Sequence, residues 1–113
     1  MCQRLFPRHA QSFLFELLTD SIDTDRFILE SSQGKIRIKG NNRNSLAAGL
    51  NHYLKNYCHT HVSWYASETV EMPDVLPEIP QPVYIRSKCD NRFFLNYCTF
   101  GYTMPYWKWQ AWE

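Results

Sequence analysis

Asn96, Cys98 and Tyr102 fall at and just beyond the end of one short run, Phe93 to Cys98. In that run Phe93, Leu95 and Tyr97 alternate with Phe94, Asn96 and Cys98, so both faces carry side chains suited to cover. This is the pattern of a strand in a parallel sheet or barrel. Residues at the carboxyl end of a barrel strand line the pocket, which makes these three the candidate substrate-binding residues. Asn96 can donate to and accept from ligand hydroxyls, or cap backbone. Tyr102 can add a hydrogen bond or a flat apolar face. Cys98 fits either close against a ligand ring or in core packing.

The other reactive side chains form weaker constellations. Cys58, His59 and His61 are close in sequence, but two of them leave opposite faces of a short turn and no fourth partner stands at ordinary zinc spacing. No metal site is expected, and no cofactor. His52 reads as a polar residue on the exposed side of its helix, and His9 reads the same way. No pair of carboxylates stands at successive strand ends, and Glu113 falls on a predicted helix. No catalytic residue is therefore assigned in this chain. Trp107, Trp109 and Trp112 can stack on a flat ligand face, but their helical spacing behind a strand favours packing against neighbouring elements.

The elements that must carry these residues follow in order. Phe6, Ala10, Phe13, Leu14 and Leu17 recur at helical spacing, and Pro7 suits a first turn, so an amphipathic helix is expected over Phe6 to Leu18. The period then changes. Phe27 with Leu29, and Ile36 with Ile38, alternate on either side of Ser31-Ser32-Gln33-Gly34, which predicts a hairpin of Phe27 to Glu30 with Lys35 to Lys39. Gly40-Asn41-Asn42 breaks the strand, and Asn44 or Ser45 can cap a second helix whose buried stripe is Leu46, Leu50, Tyr53, Leu54 and Tyr57. Ala47, Ala48 and Gly49 predict close backbone approach there. A third strand is expected at His61 to Tyr65.

Four of the six prolines fall between Met72 and Pro82, which predicts a stiff connector travelling along a surface. A short strand can follow at Val83 to Arg86. The expected organisation is an α/β chain in three parts. Residues 1–71 form a small two-layer α+β domain, with helices packed on one face of a short mixed or antiparallel sheet. Residues 72–91 are the connector, and residues 92–113 a strand, a loop and a helix that open a further β/α unit. A unit of that kind leaves Tyr106, Trp107, Trp109 and Trp112 short of cover. Two expectations compete: a truncated larger protein, or a small one that dimerises through its aromatic tail.

Composition bounds the partners. In 113 residues, 12 Lys and Arg balance 11 Asp and Glu, and no basic stripe appears, which argues against general attraction to nucleic acid or an anionic membrane. No run approaches a membrane span in length. Met1-Cys2-Gln3-Arg4 opens no signal peptide pattern. Cys2, Cys58, Cys89 and Cys98 are too sparse for a disulfide scaffold, so free thiols are the expected state.

The blocks GNNRNSLAAGLNHYLKNYCHTHVSWY and RFFLNYCTFGYTMPYWKWQAWE resemble the amino-terminal domain and first barrel segment of family 89 glycoside hydrolases, the α-N-acetylglucosaminidases. The second block is the more specific, through Asn96, Cys98-Thr99, Tyr102 and Trp107-x-Trp109-x-x-Trp112-Glu113. The first adds Ala48-Gly49-Leu50, Tyr53-Leu54 and His61-Val62-x-Trp64. The resemblance implies a small α/β domain leading into a TIM-like barrel and then a helical domain. It implies retaining hydrolysis of terminal α-linked N-acetylglucosamine without a cofactor, by glutamates much later in the chain. It points to Asn96, Cys98 and Tyr102 as pocket residues, to a glycan and the remaining domains as partners, and to a secreted or bacterial periplasmic setting. The chain departs from the family at Phe100-Gly101 and Met104-Pro105, which affects the shape of that loop. The rival expectation is a non-catalytic module that binds carbohydrate or docks another protein.

Overall fold

The computed structural model describes residues 2–19, 22–62, 70–89, 108 and 110. After one helical turn, α1 (Cys2–Leu5), and a 3-10 helix over Pro7–Ser12, the chain forms strands β1 (Phe13–Leu17), β2 (Arg26–Ser32) and β3 (Lys35–Gly40). The long helix α2 (Arg43–Asn56) follows, and strand β4 (Val83–Arg86) completes the sheet. The strand order is β1-β3-β2-β4; β1 runs parallel to β3, while β3 and β4 each run antiparallel to β2. The result is a small α+β domain with a mixed sheet, and the described residues form no closed barrel. No helix among them is long and apolar enough to cross a membrane.

The hairpin stands where alternation placed it. Gln33 (φ 52°) and Gly34 (φ 72°) both take positive φ between β2 and β3, as a two-residue turn matched to the twist of the flanking strands requires. The register sets Leu29 beside Ile38 and Ser31 beside Ile36, which puts Phe27, Leu29, Ile36 and Ile38 on the face that α2 covers. On the opposite face Glu30 accepts from Lys39 (2.9 Å) and Arg37 (3.2 Å), a polar ladder across the hairpin. The hydrogen bond from Lys39, with the two nearby cations, holds the Glu30 carboxyl below its ordinary pKa despite some burial.

The helix expected over Phe6 to Leu18 is not what forms. Pro7 does open a helical turn, but that helix is 3-10 and ends at Ser12. Phe13 to Leu17 is then the edge strand β1. The same letters satisfy two periods. Phe13, Phe15 and Leu17 also alternate, and pairing with β3 from Phe13–Ile36 to Leu17–Gly40 satisfies their backbone while seating the Phe13 ring in the core. Tertiary pairing overrides the weaker local preference. The sheet consequently carries one long helix rather than two. His61 and Val62 belong to no strand, and residues 63–65 of the expected third strand lie outside the described residues.

Asn42, two positions before the nearer of the expected caps, starts α2: its side chain accepts from the Ser45 N–H. Leu50, Tyr53 and Leu54 are buried as the stripe requires, with Leu46 and Tyr57 half-buried beside them. Gly49 lies directly over Ile38 and Phe27. The proline-rich segment crosses the end of the core rather than only its surface. Ile79 is buried, its N–H donates to Ser31 Oγ (2.7 Å), and Pro77 C=O accepts from the Tyr53 hydroxyl (2.7 Å).

His52 also departs from its expected exposure. Its ring lies 5.6 Å from that of Phe27 and is half-buried, and burial holds its pKa below the ordinary imidazole value. A histidine that binds its proton less tightly when folded contributes stability that is complete above the unfolded pKa. That contribution is lost as pH falls through about 6.5 and on toward the lower folded value. Thermal unfolding of this chain between pH 7.5 and 5 should therefore show a falling unfolding temperature. His52→Gln should flatten that slope; an equal slope in the variant would assign it to other groups.

Candidate functional site

Asn96, Cys98 and Tyr102, with Trp107, Trp109 and Trp112, lie outside the described residues. Of the Cys58-His59-His61 trio, His59 is exposed with φ 53°, His61 is exposed, and Cys58 turns inward to the Tyr53 hydroxyl. Burial raises the Cys58 thiol pKa, which that hydroxyl partly offsets; burial likewise raises that of Cys2. Cys2, Cys58 and Cys89 are free thiols. Among the described residues no three His, Cys, Asp or Glu side chains gather as metal ligands.

Two built features remain, and neither was singled out in the sequence. The first is a polar joint where the start of β2, the start of α2 and the end of β4 converge. Asn41 Oδ1 accepts from the Arg26 N–H (3.0 Å) and the Ser45 hydroxyl (2.9 Å), while its amide donates to Thr24 C=O (3.1 Å). Arg26 is 3% exposed, and its guanidinium donates to Ile22 C=O (2.9 Å). Asn42 donates to the Asp25 carboxylate. Ser87 N–H reaches Asp25 C=O (2.7 Å), and Arg86 reaches Thr24 Oγ1 (2.9 Å). The chain thus leaves β4 toward residue 92 from a point tied to the loop before β2. The tandem Asn41-Asn42 was the visible signal, since short amides serve where loops must satisfy backbone groups.

The second feature is apolar. On the helix side of β1, Phe13 is buried against Phe6 (ring centroids 5.4 Å) and Tyr53 (5.8 Å), but Phe15 is 45% and Leu17 57% exposed. A groove of about 390 Å³ runs between Phe15 and α2, lined by Phe15, Leu46, Ala47 and Leu50, with Cys2 and Ala10 also on its wall. Gln3 and Arg43 are its polar members, both exposed. An open cleft of about 310 Å³ on another side includes His9, Asp74 and Glu78. There the Asp74 side chain is 93% exposed and pairs with Arg8 at 3.9 Å.

A mixed four-stranded sheet under one long helix, with a tied polar joint at one corner and a partly exposed apolar flank, defines a small α+β domain. The chain belongs to the alpha-N-acetylglucosaminidase (NAGLU) N-terminal domain family, whose model matches residues 1–78. Human alpha-N-acetylglucosaminidase is 33% identical over 79 residues, which are 70% of this chain and 10% of that protein. The family 89 glycoside hydrolase from Clostridium perfringens, solved with its substrate GlcNAc-alpha-1,4-galactose in a form carrying two Glu-to-Gln substitutions, is 35% identical. It covers 98% of this chain with a TM-score of 0.82, and the chain spans 13% of it. The same enzyme in complex with PUGNAc matches equally well. This chain thus spans about a tenth of the length of the proteins it matches.

Proposed function

We propose that this chain is the amino-terminal part of a retaining exo-glycosidase that removes terminal α-linked N-acetylglucosamine from glycans, and that it does not hydrolyse them by itself. The observation that carries the reading is the likeness to the Clostridium perfringens enzyme, which runs through 98% of this chain at 35% identity. Retention requires an acid and a nucleophilic carboxylate about 5 Å apart on either side of the scissile bond. Of the described carboxylates, Glu30 is committed to Lys39 and Arg37, and Asp25 to the joint. The reading places the catalytic pair in polypeptide beyond this chain, which spans 13% of the Clostridium perfringens enzyme. Asn96, Cys98 and Tyr102 are proposed to form part of one wall of its sugar pocket.

Hydrolysis of GlcNAc-alpha-1,4-galactose tests the reading with two lengths of polypeptide, this chain and one extended through the downstream sequence. The expected result is no release of sugar by the chain, and release of the α-anomer first, seen by proton NMR, by the extended form. An inactive extended form would overturn the reading. Saturable sugar binding by the chain alone would favour a carbohydrate-binding module.

A further inference from the structure

We propose that the groove between α2 and the second half of β1 seats an apolar helix from the polypeptide beyond this chain, fixing the small domain to the catalytic body. The inference rests on the proposed glycosidase reading, which places this domain within a longer chain. Its starting point is width. Strands lie about 4.8 Å apart and a helix with its side chains is about 10 Å across, so one helix covers roughly two strands of a four-stranded sheet. In this domain α2 lies over β3 and β2. The 3-10 turn meets β1 mainly at its start, where Phe6 closes over Phe13, and Cys2, Gln3 and Ala10 flank Phe15 along the groove wall. Phe15 and Leu17 continue the same face of the strand and are 45% and 57% exposed.

The groove's walls specify the occupant. Phe15, Leu46 and Leu50 offer apolar contact, while Ala10 and Ala47 are small enough to admit a helix to the 8–10 Å axial separations of ordinary packing. With Gln3 and Arg43 as its exposed polar members, the groove lacks the converging buried polar groups that orient a small ligand. Arg43 gives the rim a positive charge, which suits a helix bearing an acidic side chain beside its apolar stripe. The opposite face of the sheet is mixed: the Glu30, Arg37 and Lys39 ladder shares it with Leu14, Ile28 and Tyr84. Among the described residues the helix-facing side of the sheet is covered over only part of its width. This chain spans 13% of the Clostridium perfringens enzyme, so on the proposed reading ample polypeptide is tethered nearby. A tethered segment reaches the groove at a higher effective concentration than a second copy does.

Ala47→Glu, on the groove wall, and Leu17→Glu, the next position beyond Phe15 on the same strand face, test this, because both side chains are exposed in this chain and a charge there disturbs little of its own core. In this chain each variant should unfold within about 2 °C of the parent sequence. In the extended, downstream-containing protein each should lower the unfolding temperature of the small domain by about 5 °C or more and speed amide exchange in 13–17 about tenfold. Tyr84→Glu, at an exposed site on the opposite face, should do neither. Unchanged unfolding and exchange in the extended protein would overturn the inference. So would a concentration-dependent dimer of that protein abolished by Leu17→Glu, since the occupant would then be a second copy. These readouts do not depend on hydrolysis: an extended form that docks yet cleaves no α-N-acetylglucosaminide defeats the glycosidase reading alone.

Discussion

Tyr53→Ala is expected to remove about 3–5 kcal/mol of stability, the range found when a large buried aromatic is truncated. Domains of this size hold only about 5–15 kcal/mol in total, so the variant should be partly unfolded near room temperature. The reason is position. Tyr53 is fully buried, its ring stacks on Tyr57 (5.4 Å, 16°), and it meets Phe13 edge-on at 5.8 Å. It therefore joins α2, β1 and, through its hydroxyl on Pro77 C=O, the proline-rich segment. Tyr53→Phe separates these roles. It keeps the ring and removes the donor, so it should cost about 1–2 kcal/mol while increasing amide exchange chiefly around Leu76 to Ile79.

The same residue predicts an alkaline limb. Burial, reinforced by the neighbouring Cys58, raises the Tyr53 hydroxyl pKa well above its ordinary value. Its proton is held more tightly in the folded state, so the contribution is complete below the unfolded pKa of about 10 and is lost as pH rises beyond it. Urea unfolding at pH 8 to 11 should show stability falling toward the alkaline end, and less steeply in Tyr53→Phe. Equal slopes in both proteins would show that the hydroxyl is not held in this way.

How far such features were legible follows from how local their causes are. The hairpin was readable because Phe27, Leu29, Ile36 and Ile38 obey one period and Gln33-Gly34 suits the turn. The buried face of α2 was readable for the same reason. Phe13 to Leu17 was not, because its letters fit both a helix and a strand, and the deciding partner, β3, comes about twenty residues later. His52 was misplaced because its neighbour Phe27 lies on another element. The joint at Asn41 depends on loops that meet only after the sheet forms. The apolar groove is harder still, since Phe15 and Leu17 carry the composition of a core and only the sheet's width shows them uncovered. Asn96, Cys98 and Tyr102 stand on pattern and family likeness, outside the described residues.

Gly49→Val tests the contact that the sequence did announce. A Cβ at this position would stand 2.7 Å from Ile38 Cγ2 and 3.3 Å from the Phe27 ring, inside the closest approach that carbon atoms tolerate. Ile38 is fully buried on the central strand β3 and cannot swing away into solvent. Overpacking of this kind costs about 1–3 kcal/mol for a small intrusion. Valine adds two branches and gains less than alanine from its helix propensity. The expected loss is about 3 kcal/mol, or a fall in unfolding temperature of about 12–20 °C. Gly49→Ala should fall between, because a helix-propensity gain of about 1 kcal/mol over glycine opposes the clash. The mechanism makes a sharper demand. Ile38→Ala removes the offending methyl, so although it opens a cavity alone, it should relieve part of the Gly49→Val penalty. The double variant should therefore be more stable than the sum of the two losses by about 1 kcal/mol or more. Strict additivity in chemical denaturation would mean that Gly49 is needed for something other than the approach of α2 to β3.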